Sequence, residues 1–300
     1  MPDDEPASGP PAPGHGGDDL AYDSPPLWTH FLIPLAILVG AAGIIVTLFY
    51  LDNDDGLSRD DVAAAVNEAV SAAFADLTLA AAPSGGASSP TGPASMLQAM
   101  TEYAEQIDLD VDAFRQCLTD PETATVINEH LQRGSALGVT GTPTFFINNK
   151  MVVGAQPPAV FQEIIQAELD GSPTSIEAYS DTIRQLAAIN PPRFAIIEEP
   201  IDLSGAHFEG NPDARVVVAE YSDFQCPFCG RWTAETLPLL RPVLGDDVAL
   251  AFLHFPILQI HPNAGRAHLA AECAAEQGKF YEMHDLLFQR QQEWQDLPAN

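Results

Sequence analysis

Glu220-Tyr221-Ser222-Asp223-Phe224-Gln225-Cys226-Pro227-Phe228-Cys229 is the stretch on which the reading of this chain turns. An apolar run, Val216-Val217-Val218-Ala219, leads into it, and a helix-like segment follows. That order sets Cys226 at the exposed N-terminus of a helix. Backbone N–H groups and the helix dipole there favour a thiolate over a thiol. Cys229 lies one turn further on, on the same face, close enough to close a small disulfide. A thiol of depressed pKa beside a resolving thiol suits thiol–disulfide exchange. Cys-x-x-Cys also reads as half of a zinc site, which needs a second Cys/His pair at close spacing. Cys117 and Cys273 stand alone and far apart, so redox chemistry is the favoured reading.

Around this stretch, residues 202–300 read as a short strand, a strand over 215–221, the Cys-Pro-Phe-Cys helix and a strand over 248–255. Two helices follow, at about 262–277 and 279–293. Residues 96–170 form another unit. Met96 to Ile107 is helical in pattern. Asp120-Pro121 is an N-cap with proline at the first helical position, and Gly138 ends that helix. Two short apolar strands then flank Asn148-Asn149, which reads as a hairpin turn. A helix from about Pro158 to Leu169 closes the unit, with Gly171 as its stop. Residues 171–201 read as a mixed connector with a short helical stretch, broken at Pro191-Pro192.

The N-terminal third differs in composition. Residues 1–27 are an acidic tail rich in Pro and Gly, without Lys or Arg. Phe31 to Leu51 carries no charge, with Trp28 and Tyr50 near its ends. Its length matches a ~30 Å hydrocarbon core at ~1.5 Å per residue, so 28–51 reads as an uncleaved transmembrane helix. Ala36 and Gly40 form a small-xxx-small pair, a faint sign of helix dimerisation. Neither flank supplies a positive-inside signal, and Arg59 is the sole nearby cation. Residues 52–95 read as an amphipathic helix, with Ser58 as its cap and Val62, Val66, Val70, Phe74 and Leu77 at helical spacing. A flexible linker over 81–95 follows it.

The chain carries 42 acidic and 12 basic residues, a net charge of -30, with Lys150 and Lys279 its only lysines. The excess runs through the whole chain and is no local tail. That charge argues against nucleic acid and anionic surfaces as partners. Four cysteines beside a membrane segment point to an oxidising, extracytoplasmic setting. No phosphate loop, dinucleotide motif or serine-hydrolase elbow occurs, and no cofactor is expected. His130, His254, His261, His268 and His284 have no ligand spacing and read as helix-surface or core histidines.

Asp223-Phe-Gln-Cys-Pro-Phe-Cys229 resembles the active site of DsbA-like thioredoxin-fold oxidoreductases. Gly138-Val-Thr-Gly-Thr-Pro-Thr-Phe-Phe-Ile147 resembles the same family's cis-proline loop. The resemblance covers about residues 95–170 and 202–300. It implies an α/β thioredoxin-like fold with a helical insert. The order of the halves is inverted: in the family the Cys-Pro-x-Cys half comes first and the Thr-Pro half last. Three explanations stand open. The chain is a circular permutant, with 171–201 joining the family's usual termini, and this is the favoured one. It is the remnant of a tandem pair. Or the halves pair between two chains, as a domain-swapped homodimer. Each half alone leaves sheet edges exposed, so complementation is the better physics.

The resemblance also assigns roles. Cys226 is the nucleophile and Cys229 resolves the mixed disulfide. Thr142-Pro143 is the cis-proline pair, whose backbone receives a client chain. Pro227 and Phe228 complete the client-facing motif. Phe228 stands where the best-known members carry histidine, so a less stabilised thiolate is expected. Glu220 is a buried carboxylate assisting proton transfer to Cys229, with a solvent-facing edge carboxylate as the other reading. Asp223 reads as a turn residue. Cys117 and Cys273 fall in the two parts of the helical insert, where a structural disulfide is slightly favoured over two buried thiols. The implied activity is thiol–disulfide exchange with secreted or envelope proteins, and a quinone-linked membrane partner would reoxidise the pair. The alternatives are a dithiol module handling a soft metal such as Cu(I) or haem, and a non-catalytic interaction domain.

Overall fold

The computed structural model describes residues 35–38, 45–48 and 92–299. Leu35–Leu38 (β1) and Ile45–Leu48 (β2) pair antiparallel, Leu35 opposite Leu48. These two pieces of the expected transmembrane segment are therefore extended, not helical. Both flank Gly40-Ala41-Ala42-Gly43, and β-branched Ile45, Val46 and Thr47 favour strand over helix in their own right. The remainder of 28–51, the tail 1–27, the amphipathic helix of 52–95 and most of the linker lie outside the described residues. Among the described residues, no helix is long and apolar enough to cross a membrane.

From residue 95 onward, local signals place the elements. Ser95 caps Met96–Gln106 (α1), its hydroxyl accepting the Gln98 N–H at 3.3 Å. Asp110 caps Val111–Cys117 (α2) through the Ala113 N–H, 3.0 Å. Asp120 caps a single 3₁₀ turn, Pro121–Thr123, that feeds Ala124–Ala136 (α3). Gly138, at φ +82°, turns the chain out of that helix. Thr144–Ile147 (β3) and Lys150–Val153 (β4) form the hairpin around Asn148-Asn149, with Asn148 in the left-handed region. Pro158–Asp170 (α4) ends at Gly171.

The connector does more than join. Asp181–Ala188 (α5) packs beside Phe194–Ile196 (β5), which pairs antiparallel with β4 and extends the sheet by one strand. This strand went unread in the sequence, because three residues carry too little periodicity to register. The second half supplies His207–Glu209 (β6), Val216–Ser222 (β7), Pro227–Glu235 (α6), Leu237–Leu240 (α7) and Val248–His254 (β8). Ala264–Ala275 (α8), Phe280–Gln289 (α9) and Gln291–Trp294 (α10) follow.

All six strands from β3 to β8 make one sheet, in the order β5-β4-β3-β7-β8-β6. The decisive junction is β3 against β7, antiparallel, with Thr144 opposite Tyr221 and Ile147 opposite Val218. Strand β7 runs parallel to β8 over seven residue pairs. Residues 96–170 and 202–300 thus complete one sheet within a single chain, so neither half leaves its inner edge bare.

Alternation along β7 sorts the two faces. Val216 and Val218 join the core under α4 and α6, where Trp232 packs on Phe145 and Phe161. Ala219 and Tyr221 join the opposite core with Phe146, Leu253 and Phe255. Helix α3 approaches that face closely at Gly134, where a Cβ would stand 2.9 Å from both Phe255 and Tyr221. A third core joins α1, α2, α8 and α9 into the helical layer. Cys117 and Cys273 are disulfide-bonded across this layer, 5.7 Å between their Cα atoms. Lys279 Nζ donates to the Ile107 carbonyl at 2.7 Å, another tie between the halves. At the end of the described chain, the Pro298 carbonyl accepts the Met96 N–H at 2.9 Å. The last residues of one half therefore abut the first helix of the other.

Candidate active site

Three local facts converge on Cys226. Strand β7 ends at Ser222, and the turn after it places Cys226 as the N-cap of α6, with Pro227 at the first helical position. Proline fits there because its missing N–H has no partner to lose. The Thr144–Tyr221 pairing brings the start of β3, and hence the cis Thr142-Pro143 bond, beside that turn. The Cys226 thiol lies 3.4 Å from the Thr142 carbonyl oxygen. The buried Thr142 hydroxyl has no hydrogen-bond partner.

Cys226 and Cys229 are both buried and free of a disulfide. Their acidities are driven apart. A hydrogen bond with the Cys229 thiol, foremost, pulls Cys226 down to about 6. Burial opposes it; the backbone amides of Cys229 and Phe228 reinforce it. Burial pushes Cys229 well up, and the charges of Cys226 and Glu220 push it further. One sulfur is a ready thiolate and its neighbour holds its proton, the division that a nucleophile and a resolving thiol require.

Glu220 is fully buried in β7. In the alternation set by Val216 and Val218, its side chain belongs to the face that α6 covers. Ser222 Oγ donates to Glu220 Oε1 at 2.6 Å, while Oε2 has no partner. Burial raises this carboxyl to about 8, with the Ser222 hydrogen bond opposing. A carboxyl of that pKa exchanges protons near neutral pH.

Asp223 is a turn residue whose carbonyl accepts the Cys226 N–H at 3.0 Å. Its carboxylate has further work. Oδ1 accepts the Gln225 N–H at 2.8 Å; Oδ2 accepts the Ile257 N–H and lies 2.7 Å from His261 Nδ1. The Asp223 hydrogen bond raises the His261 pKa, and the Cys226 charge raises it further. By reciprocity a protonated His261 favours the thiolate. The loop after β8 thus brings an ionisable group to the turn that carries Cys226. In the sequence His261 reads only as a helix-surface or core histidine, since 35 residues separate it from Cys226 and no spacing rule joins them.

Phe228 is 55% exposed, with the Arg231 guanidinium 5.2 Å from its ring centroid. It offers an apolar surface next to the nucleophile. The final turn holds the motif from behind: Gln291 Nε2 donates to the carbonyls of Phe224 and Cys226 at 2.7 and 3.0 Å. The other histidines also prove clustered. His130, His254 and His268 are buried, and His207 and His254 share Glu272.

A dithiol split in acidity at a helix N-terminus, a cis X–Pro bond against it and a buried carboxyl in the adjoining strand define a thioredoxin-fold redox domain. Residues 203–299 match a family described as thioredoxin, and residues 90–166 match the DSBA-like thioredoxin domain. Both halves of the domain are thus similar to thioredoxin-type families, the Thr142-Pro143 half to a DSBA-like one, and this supports thiol–disulfide oxidoreductase chemistry in general. Among curated proteins it is similar to part of the Na(+)/H(+) antiporter NhaA 1 of Mycobacterium sp. (strain KMS), 44% identical over 100 residues. That match covers 33% of this chain and 16% of the antiporter. It is similar to NhaA 3 of Salinispora tropica, 46% identical over 96 residues, 31% of this chain and 14% of the other. NhaA of Herminiimonas arsenicoxydans is 36% identical over 96 residues, 32% and 15% of the two chains. The chain therefore spans about a sixth or less of the curated relatives that it matches.

Proposed function

We propose that the protein is a membrane-anchored disulfide donor acting outside the cytoplasm, built on a circularly permuted thioredoxin-like domain. The single observation that carries the redox reading is the opposed acidity of Cys226 and Cys229 beside the cis Thr142-Pro143 loop. In the oxidised form a client thiolate attacks Cys226 Sγ. The Cys226–Cys229 bond breaks, and Cys229 leaves with the electron pair and takes a proton, for which Glu220 is the nearby acid. A second client thiolate then attacks the client sulfur of the mixed disulfide and frees Cys226 as a thiolate. Two electrons pass from client to protein, and the client gains one disulfide. A low Cys226 pKa stabilises the reduced product and so favours donation. Reoxidation falls to a quinone-linked membrane partner. Thr142 and Phe228 contact the client: the first through its backbone, the second through its exposed ring.

The permuted order is supported by β3 pairing with β7 and by the Met96–Pro298 contact, which sets residue 298 where the family chain would continue into α1. The location is supported by the apolar stretch 31–51 and by the Cys117–Cys273 disulfide, which an oxidising compartment preserves.

The test is a glutathione redox series on the full chain, acid-quenched, alkylated and mapped by mass spectrometry. One reversible Cys226–Cys229 step with Cys117–Cys273 locked throughout is the expected result, and its midpoint reports the direction. Scrambled pairing across the series would sink the reading. A membrane-impermeant maleimide applied to intact cells should label Cys226. Labelling only after lysis would reverse the topology.

A further inference from the structure

Side chains remote from one another in sequence converge where β6, β8, α3 and α8 meet. His207 Nε2, from edge strand β6, lies 2.6 Å from Glu272 Oε1 in α8. His254 Nε2, at the end of β8, contacts the same oxygen. The three ligand atoms all lie within 4.8 Å of one another. Behind them, His254 Nδ1 is 2.5 Å from His268 Nδ1, and the His254 backbone N–H donates to His130 Nδ1 at 3.2 Å. His268 Nε2 is fully buried and has no hydrogen-bond partner.

Glu272, 12% exposed, has His207 and His254 as its ion-pair partners among the described residues, with no lysine or arginine. Two ring nitrogens and one carboxylate oxygen thus converge in a largely buried place, the donor set that a divalent transition metal takes.

We propose that His207, His254 and Glu272 bind a divalent transition metal of zinc type through two Nε2 atoms and one carboxylate oxygen, with water as the fourth ligand. Neutral imidazoles and an ionised carboxylate are the states that such an ion requires, and mixed N/O donors suit zinc, cobalt and nickel better than calcium or magnesium. Tetrahedral zinc at ~2.0–2.1 Å from each ligand sets ligand atoms ~3.3 Å apart. The 2.6 Å pair opens by about 0.7 Å and the widest pair, within 4.8 Å, closes by at most about 1.5 Å, which side-chain rotation provides. His268 at the far nitrogen of His254 is the outer partner that ligating histidines commonly keep. The ion ties the three-residue edge strand β6 to β8 and to α8, which also carries Cys273. The site is separate from the dithiol and acts on stability, not on exchange.

The experiment uses the full chain with Cys226 and Cys229 alkylated, so that thiolates cannot ligate. Zn2+ is titrated calorimetrically, and Co2+ is followed by its visible spectrum. One equivalent is expected, with a raised Tm and a Co2+ spectrum of N/O ligation. His207→Gln and Glu272→Gln should each weaken binding at least ~10-fold. Uptake absent, or unchanged in both variants, overturns the proposal, since 42 acidic residues offer weak surface binding. If a variant fails to fold, the imidazole 15N shifts of the parent chain decide. Zn2+ must move Nε2 of His207 and His254; ions that leave both unmoved refute the site.

Discussion

Two carboxylates buried at opposite ends of the domain meet opposite fates. Glu168, in α4, is matched on every side. Lys150 Nζ stands 2.7 Å away with both side chains fully buried, Ser172 Oγ donates at 3.2 Å and Asn148 Nδ2 at 2.8 Å. Glu220, beneath the dithiol, has Ser222 alone and an unpartnered second oxygen. A matched buried charge is structural and holds the hairpin against α4. An unmatched one shifts its pKa into the working range and marks the place of chemistry. The cysteines repeat the contrast. Cys117 and Cys273, 156 residues apart, are joined and inert; Cys226 and Cys229, one turn apart, are free and split in acidity.

That contrast can be broken at four points, in falling order of effect. Replacing both Cys117 and Cys273 by serine should cost up to ~5 kcal/mol in the loop-entropy description, read by urea unfolding. A cost under ~1 kcal/mol would mean that the halves dock equally well without the staple. Lys150→Met strands the Glu168 charge and should cost ~3–5 kcal/mol, with exchange by the folded fraction unchanged. A neutral effect on stability would show that the pair contributes nothing net.

Glu220→Gln should act in the other direction. Its folded carboxyl titrates at about 8, above the ~4.3 of an unfolded chain. The stability it contributes is therefore complete below the unfolded value and is lost as pH rises toward 8. About 3 kcal/mol of it is gone at pH 7. The variant should flatten the stability–pH curve between those limits, gain stability at pH 7 and slow proton transfer at Cys229 by ~10²-fold. An unchanged curve would place Glu220 among the structural acids. The smallest effect belongs to His261→Gln. Cys226 alkylation should titrate with a midpoint near 6 in the parent chain and up to ~1 unit higher in the variant. A midpoint that does not move would remove His261 from the thiolate's surroundings.

The reading of Phe228 shows where sequence argument ran short. Its apolar side chain leaves position 228 without an ionisable group, from which a less stabilised thiolate is expected. The fold brings His261 to Asp223 instead, across a loop that no local pattern links to the motif. The His207–His254–Glu272 grouping escaped the sequence for the same reason, and β5 because three residues carry too little periodicity. By contrast, the bounds of α1, α4 and the Asn148-Asn149 hairpin were legible to within a residue or two, because caps, stop glycines and turn residues act on their own neighbours.

The sequence alone determined the chemistry-bearing pieces: Cys226 at a helix start, Thr142-Pro143 before a hairpin and an acid six residues ahead of the dithiol. These are written in adjacent residues and in the preferences of backbone and turn. Tertiary structure alone decided that β3 meets β7, that Glu220 is left unmatched while Glu168 is paired, and that His261 reaches the site. Pairing and burial depend on which distant surfaces exclude water together, and that is a property of the whole packed domain.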